Sequence, residues 1–168
     1  MSVDNSEMIA FQKALEALQN DIPEIMDRIV VQEGEYAVKQ ARKICKEEGI
    51  VNQGTYRRNF KCGTKAIRAG RAYKIDVYNN LDYAEHLEYG FRAHFVPGHW
   101  EGSSFVYQKN DPKGGMVMPG KKTCPSGYYK GHYTLKRAID NTKRSQDRRI
   151  ERKYLQELKK RGLDKYMK

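Results

Sequence analysis

Residues 73–90 read Tyr73-Lys74-Ile75-Asp76-Val77-Tyr78-Asn79-Asn80-Leu81-Asp82-Tyr83-Ala84-Glu85-His86-Leu87-Glu88-Tyr89-Gly90. Tyr73, Ile75 and Val77 alternate with Lys74 and Asp76, the period of two expected for a strand with one covered face. Asn79-Asn80 ends that strand. Asp82 stands where a helix N-cap belongs, Tyr83 to Tyr89 is a short helical stretch, and Gly90 suits the left-handed position that stops it. Strand and helix thus follow each other directly within one short segment.

Upstream, Lys61 to Arg68 reads as a second strand, and Ala69-Gly70 makes the hairpin turn that joins it to the strand from Arg71 to Tyr78. Before it lies Asn52-Gln53-Gly54-Thr55, a turn with Thr55 as a cap, and then the basic piece Tyr56 to Phe60. The N-terminal segment is helical. Met8, Phe11, Leu15, Leu18, Ile22, Ile25 and Ile29 recur at steps of three and four, and Asp4, Asn5 or Ser6 caps the start. Such a stripe either pairs helices between subunits or packs on the chain's own sheet, and the second is the commoner use. Pro23 removes a backbone donor and disfavours helix at Ile22, which predicts a kink or break. Helix resumes to about Glu48, weakened at Gly34 and closed by a left-handed Gly49.

Downstream, Phe91, Ala93 and Phe95 alternate with Arg92 and His94 as another strand. Residues 97–131 are rich in Gly and Pro and read as a long loop, with a hairpin of Ser104–Tyr107 and Met116–Met118 around Asp111-Pro112-Lys113-Gly114. A loop of that length in a small domain is usually functional or mobile. From about Tyr133 to Arg161 the chain reads as one long helix. Two apolar patches, Leu135/Ala138/Ile139/Thr142 and Ile150/Tyr154/Leu155/Leu158, flank a middle that is polar on every side, the pattern of a helix that projects or bridges. The expected class is α+β: N-terminal helices, a small, mainly antiparallel sheet and a long C-terminal helix. The expected organisation is an α+β body over 1–131, including the loop at 97–131, followed by a basic helix and tail over 132–168.

The chain has 168 residues and a formal net charge of +11. Residues 1–120 carry 16 basic and 16 acidic residues, whereas 121–168 carry 16 basic and 5 acidic, so the whole excess lies at the C-terminal end. That end attracts polyanions. A solvated helix, or one paired with an acidic neighbour protein, is the blander and favoured account. No apolar run approaches the roughly 20 residues of a membrane helix, and Asp4 and Glu7 argue against a secretory signal. Cys45, Cys62 and Cys124 are odd in number and far apart, which favours reduced thiols in a cytosolic setting.

Tests for chemistry come back weak. His94 with His99, and Cys124 with His132, lack the second compact pair that a zinc site needs. Glu85, His86 and Glu88 share a short helix but do not make H-E-x-x-H, and Glu85/Glu88 read as an acid–base pair less readily than as a solvated or salt-bridged edge. None of the Cys has a local signature, and Gly120-Lys121-Lys122-Thr123 lacks the spacing of a phosphate loop. The expectation is no enzyme, no cofactor and no metal.

Three pieces recur in an informative order. Gln53-Gly54-Thr55-Tyr56-Arg57-Arg58-Asn59-Phe60 resembles the T-G-x-L-R-x-S entry to a strand pair, with Tyr56 in place of Leu. Tyr73 to Asn80 is the strand into an Asn turn, and Asp82 to Gly90 resembles Y-A-x-x-x-E-x-G. With a long helix ahead and a helix behind, this order resembles the neck, or minor tail-component, family of tailed phages and phage-tail-like particles. The resemblance implies a structural virion protein assembled in the host cytoplasm. It would form a homo-oligomeric ring, expected to be hexameric, at the head–tail junction. The ring would join the tail to the capsid connector, contact the connector and tail-terminator proteins, leave a channel for phage DNA and involve no membrane. Tyr83, Ala84, Glu88 and Gly90 are then the candidate fold or ring-contact motif. Arg144, Arg148, Arg149, Arg152 and Lys153 are the candidate contacts to a partner or to DNA. The alternative is a stand-alone nucleic-acid-binding protein that uses this basic helix, with Tyr128, Tyr129 and Tyr133 near its start to stack on bases.

Overall fold

The computed structural model describes residues 5–50, 54–70, 72–112, 114–118 and 125–163. It is an α+β structure. The described chain gathers into two compact units, one of residues 1–80 with 135–168 and one of residues 81–134.

In the first unit, α1 (Ser6–Glu47) is a single helix of 42 residues with Pro23 inside it. Of the kink or break expected at Pro23, the break does not occur. Pro23 and Gln19, whose carbonyl loses its donor, are both exposed, so water can satisfy the orphaned group. On the opposite side Leu18, Ile25 and Ile29 are buried with Leu158 and Leu163, and Ala14, Ile22, Ile150 and Tyr154 pack around them. The stripe therefore continues through the proline because it is seated on a second helix, not on a sheet as expected. Glu48, Gly49 and Ile50 close α1 with bonds to the Ile44, Lys46 and Cys45 carbonyls, and Gly49 has the expected positive φ of 64°.

The C-terminal half of α1 lies on strands. A one-turn helix, α2 (Thr55–Arg58), leads into β1 (Phe60–Cys62). Thr55 is its first residue and Gly54, at φ 69°, occupies the cap, so Thr55 is not the cap that the sequence implied. Asn52 and Gln53 lie outside the described residues. The two expected strands are each interrupted, giving β2 (Ile67–Ala69), β3 (Ala72–Lys74) and β4 (Val77–Asn79). β1 pairs antiparallel with β4, and β2 with β3. Tyr73, Ile75 and Val77 are partly buried while Lys74, Asp76 and Tyr78 are exposed, as the alternation predicted. The interruption brings Ile75 against Gly34: a Cβ there would lie 3.1 Å from both the Cys62 Cβ and an Ile75 methyl. Gly34 thus admits the strands to the helix, a use that helix propensity alone does not reveal. The Ala66 amide adds a tie at 2.6 Å to the Asp27 carboxylate of α1.

The single C-terminal helix expected over 133–161 is two helices, α4 (Thr134–Lys143) and α5 (Gln146–Lys160). The break falls at Arg144-Ser145, inside the stretch that is polar all round. Thr142 Oγ1 donates to the Ala138 carbonyl, and the Thr142 carbonyl accepts the Ser145 amide at 3.4 Å and Arg149 at 2.9 Å. The break lets the second apolar patch face α1, so α5 packs along α1 and does not project from the body. Residues 164–168 lie outside the described residues.

In the second unit, α3 (Ala84–Tyr89) leads into β5 (Gly90–Arg92), which pairs with β9 (Tyr128–Lys130). The region expected as a long loop contains a sheet. β6 (His94–Glu101) is central, with β7 (Ser104–Tyr107) on one edge and β8 (Gly115–Met118) on the other. The two pieces expected to pair with each other each pair with β6 instead. Gly102, at φ 61°, supplies a nearer turn for β7, and β8 returns along the first half of β6.

Candidate assembly surfaces

Glu33 stands at a position where the α1 stripe steps from Ile29 to Ala37, so its carboxylate is buried on an apolar face. A buried charge there requires a partner. Arg149 supplies it with three contacts, Nε at 3.2 and 3.1 Å to the two oxygens and Nη2 at 2.5 Å to Oε2. Lys153 Nζ adds a contact to Oε1 at 3.0 Å. The Arg149 guanidinium also lies over the Tyr36 ring, 3.8 Å from its centroid. Burial works to raise the Glu33 carboxyl, but the hydrogen bonds from Arg149 and Lys153 prevail and hold it below its ordinary value. The hydrogen bond that Arg149 donates to Glu33 correspondingly raises Arg149.

A second cluster forms farther along α5. Glu157 receives Arg28 at 3.0 Å, Lys160 at 2.7 Å and Arg161 at 2.9 Å, and Arg161 also reaches Asp21 at 3.0 Å. The hydrogen bond from Lys160, then that from Arg161, lowers the Glu157 carboxyl. Arg137 pairs with Glu48 just beyond the end of α1. Four cations of the C-terminal end thus pair with carboxylates of the N-terminal segment. Part of the basic charge of the C-terminal end is thus met by the chain's own carboxylates.

The five candidate contact residues therefore divide. Arg149 and Lys153 turn inward to Glu33, whereas Arg144, Arg148 and Arg152 are exposed. Asp147 and Glu151 are exposed among them, so the outward face is mixed in charge. Sequence reading grouped all five because it saw basic residues and not the helix that faces them. The legible signal was Glu33 itself, an acid inside an apolar period.

The motif at 83–90 is divided in a different way. Ala84 and Glu88 are buried, while Tyr83 is exposed. Glu85 and His86 are also exposed, so Glu85 and Glu88 do not share one solvent-facing edge. The carbonyls of Leu87 and Glu88 accept the His132 and Tyr133 amides at 2.9 and 3.0 Å, and the Tyr128 hydroxyl donates to Tyr89 O at 3.0 Å. Gly90 has φ 84°, and a Cβ on it would lie 2.2 Å from Tyr129 O. Only glycine permits that approach of β9. In this unit the motif acts as a local clamp on the strand.

Sequence reading missed one polar cluster. His99 Nδ1 bonds to Asp111, and Nε2 lies 3.2 Å from Glu101. This ties the segment between β7 and β8 to the central strand. Among the described residues no group of three or more His, Cys, Asp or Glu is placed to hold a metal ion, and no helix is long and apolar enough to cross a membrane. Cys45 and Cys62 are not joined in a disulfide; Cys124 lies outside the described residues.

No curated protein and no solved structure matches the chain. A family does. Residues 9–90, just under half of the chain, match the family described as "Bacteriophage HK97-gp10, putative tail-component", over the segment that carries the motif order quoted above.

Proposed function

We propose that this chain is a structural protein of the phage neck that assembles into a closed ring, expected to be a hexamer, where the tail meets the capsid connector. The observation that carries the reading is the family match over residues 9–90, which spans all but the first three residues of α1, the strands β1 to β4 and the helix capped by Gly90. The protein is a building block of the virion with no catalytic role, made and assembled in the host cytoplasm. Its neighbours are connector and tail-terminator proteins, and its ring encloses a channel for DNA.

The charge distribution supports a protein partner over DNA as the principal contact. Arg149 and Lys153 are engaged with Glu33, and the exposed Arg144, Arg148 and Arg152 are interleaved with Asp147 and Glu151. A channel that lets DNA slide is poorly served by a sticky basic lining, since each phosphate contact strengthens binding. The test is to delete the chain from an otherwise productive infection and restore it from a plasmid. Filled heads and complete tails that stay separate until the chain is restored support the reading. Normal joined particles without it overturn the reading.

A further inference from the structure

The sheet of β6, β7 and β8 has no core of its own. Gly98 is the only buried residue in its three strands. Large apolar side chains stand in water instead: Phe95 is 61% exposed, Trp100 59% and Tyr107 64%, with Val106, Val117 and Met118 also exposed. A three-stranded sheet becomes stable by covering an apolar face, and this one leaves both faces open.

The register assigns these six side chains to opposite faces. Phe95 pairs with Val117 and His99 with Val106, which places Phe95, Val106 and Val117 on one side. His94 pairs with Met118, Gly98 with Tyr107 and Trp100 with Phe105, which places Trp100, Tyr107 and Met118 on the other. The glycines agree with this assignment. The Phe95 ring lies where a Cβ of Gly115 would be, and the Phe105 ring lies near the Cβ position of Gly98. The rings of Trp100 and Phe105 meet edge to face at 5.4 Å. One face is therefore built on Phe95 and Val117, the other on Trp100 and Tyr107.

We infer that the occupant of each face is a second copy of this chain, with the Phe95 face of one copy seated on the Trp100 face of the next. This inference rests on the ring proposed above and names its contact. Charge favours a copy. Each chain carries +11, so two copies repel wherever their basic ends approach. Residues 93–118 hold Glu101, Asp111, Lys109 and Lys113, a net of zero, and are apolar on both faces. Like-charged copies can meet there at little electrostatic cost. Because the two faces differ, the contact is heterologous, and repetition of a heterologous contact closes a ring or extends a filament; it does not stop at a dimer.

The experiment uses the full chain and two double variants, Phe95→Ser/Val117→Ser and Trp100→Ser/Tyr107→Ser, with mass measured by light scattering. All four positions are exposed, and circular dichroism and thermal melting verify that each variant folds. The wild type is expected to be larger than a dimer and each variant alone a monomer. An equal mixture of the two variants is expected to form a dimer, since one keeps a good Trp100 face and the other a good Phe95 face. A monomeric wild type overturns the inference, as does an oligomer that survives either variant, or a mixture that stays monomeric. An oligomer indifferent to both variants leaves the neck ring standing and removes only this contact. Normal particles made without the chain remove the neck reading itself.

Discussion

Arg149 and Glu33 are 116 positions apart in the sequence and meet through three hydrogen bonds, the shortest at 2.5 Å, with side chains only 11% and 5% exposed. This pair, with Lys153, turns a basic C-terminal helix inward onto the N-terminal one. It explains how a chain with all of its excess charge at one end still folds that end against itself.

Removing the acid leaves two cations without their partner in a half-buried site. Glu33→Gln is expected to lower unfolding stability by about 3 kcal/mol, measured by urea denaturation. Arg149→Met should cost a similar amount, and the double variant less than the sum of the two singles. Additive losses would show that the two residues do not act as a pair.

The pH response follows from the direction of the shifts. Glu33 and Glu157 both sit below the ordinary carboxyl value of 4.5 in the folded chain. A depressed carboxyl stabilises the fold fully above its unfolded pKa, and that contribution disappears as pH falls through the folded value. Stability should therefore be level with respect to these two groups above about pH 5 and decline below it. Glu33→Gln should flatten the acid-side decline, and an unchanged slope would contradict the assignment.

Gly90→Ala places a Cβ in contact with the Tyr129 carbonyl at a positive φ. The β5–β9 pairing is expected to open, at a cost above roughly 1 kcal/mol. Hydrogen exchange should show lost protection at 90–92 and 128–130, while the amides of α1 and α5 keep theirs. Retained protection of β9 would count against the clamp.

The exposed arginines separate assembly from folding. Changing Arg144, Arg148 and Arg152 together to Glu should alter stability by no more than about 0.5 kcal/mol per site, as for other surface positions. It should nonetheless impair head–tail joining in complementation. Loss of tight, steeply salt-dependent duplex DNA binding by the same variant would instead favour the nucleic-acid reading.

Local periodicity carried much of the fold. The Tyr73–Val77 alternation, the stop at Gly90, the left-handed Gly49 and the class as a whole could be read because each rests on neighbouring residues. What could not be read depended on distant partners. Pro23 breaks an isolated helix, but this one runs on through it, with Leu18 before it and Ile25 and Ile29 after it packed on Leu158 and Leu163. Ser104–Tyr107 and Met116–Met118 have strand character, yet nothing in either piece names β6 as the partner of both. Arg149 and Lys153 look like Arg148 and Arg152 until Glu33 is placed beside them. The candidate motif at 83–90 was legible as a unit, but burial of Ala84 and Glu88 against exposure of Tyr83 required the fold.

The most direct test of the account is to locate the chain in finished particles. Particles grown with an epitope on the chain and labelled with gold should carry the label as a band at the junction of head and tail, in several copies per particle. Particles without label there, or label along the tail shaft, would contradict a neck ring.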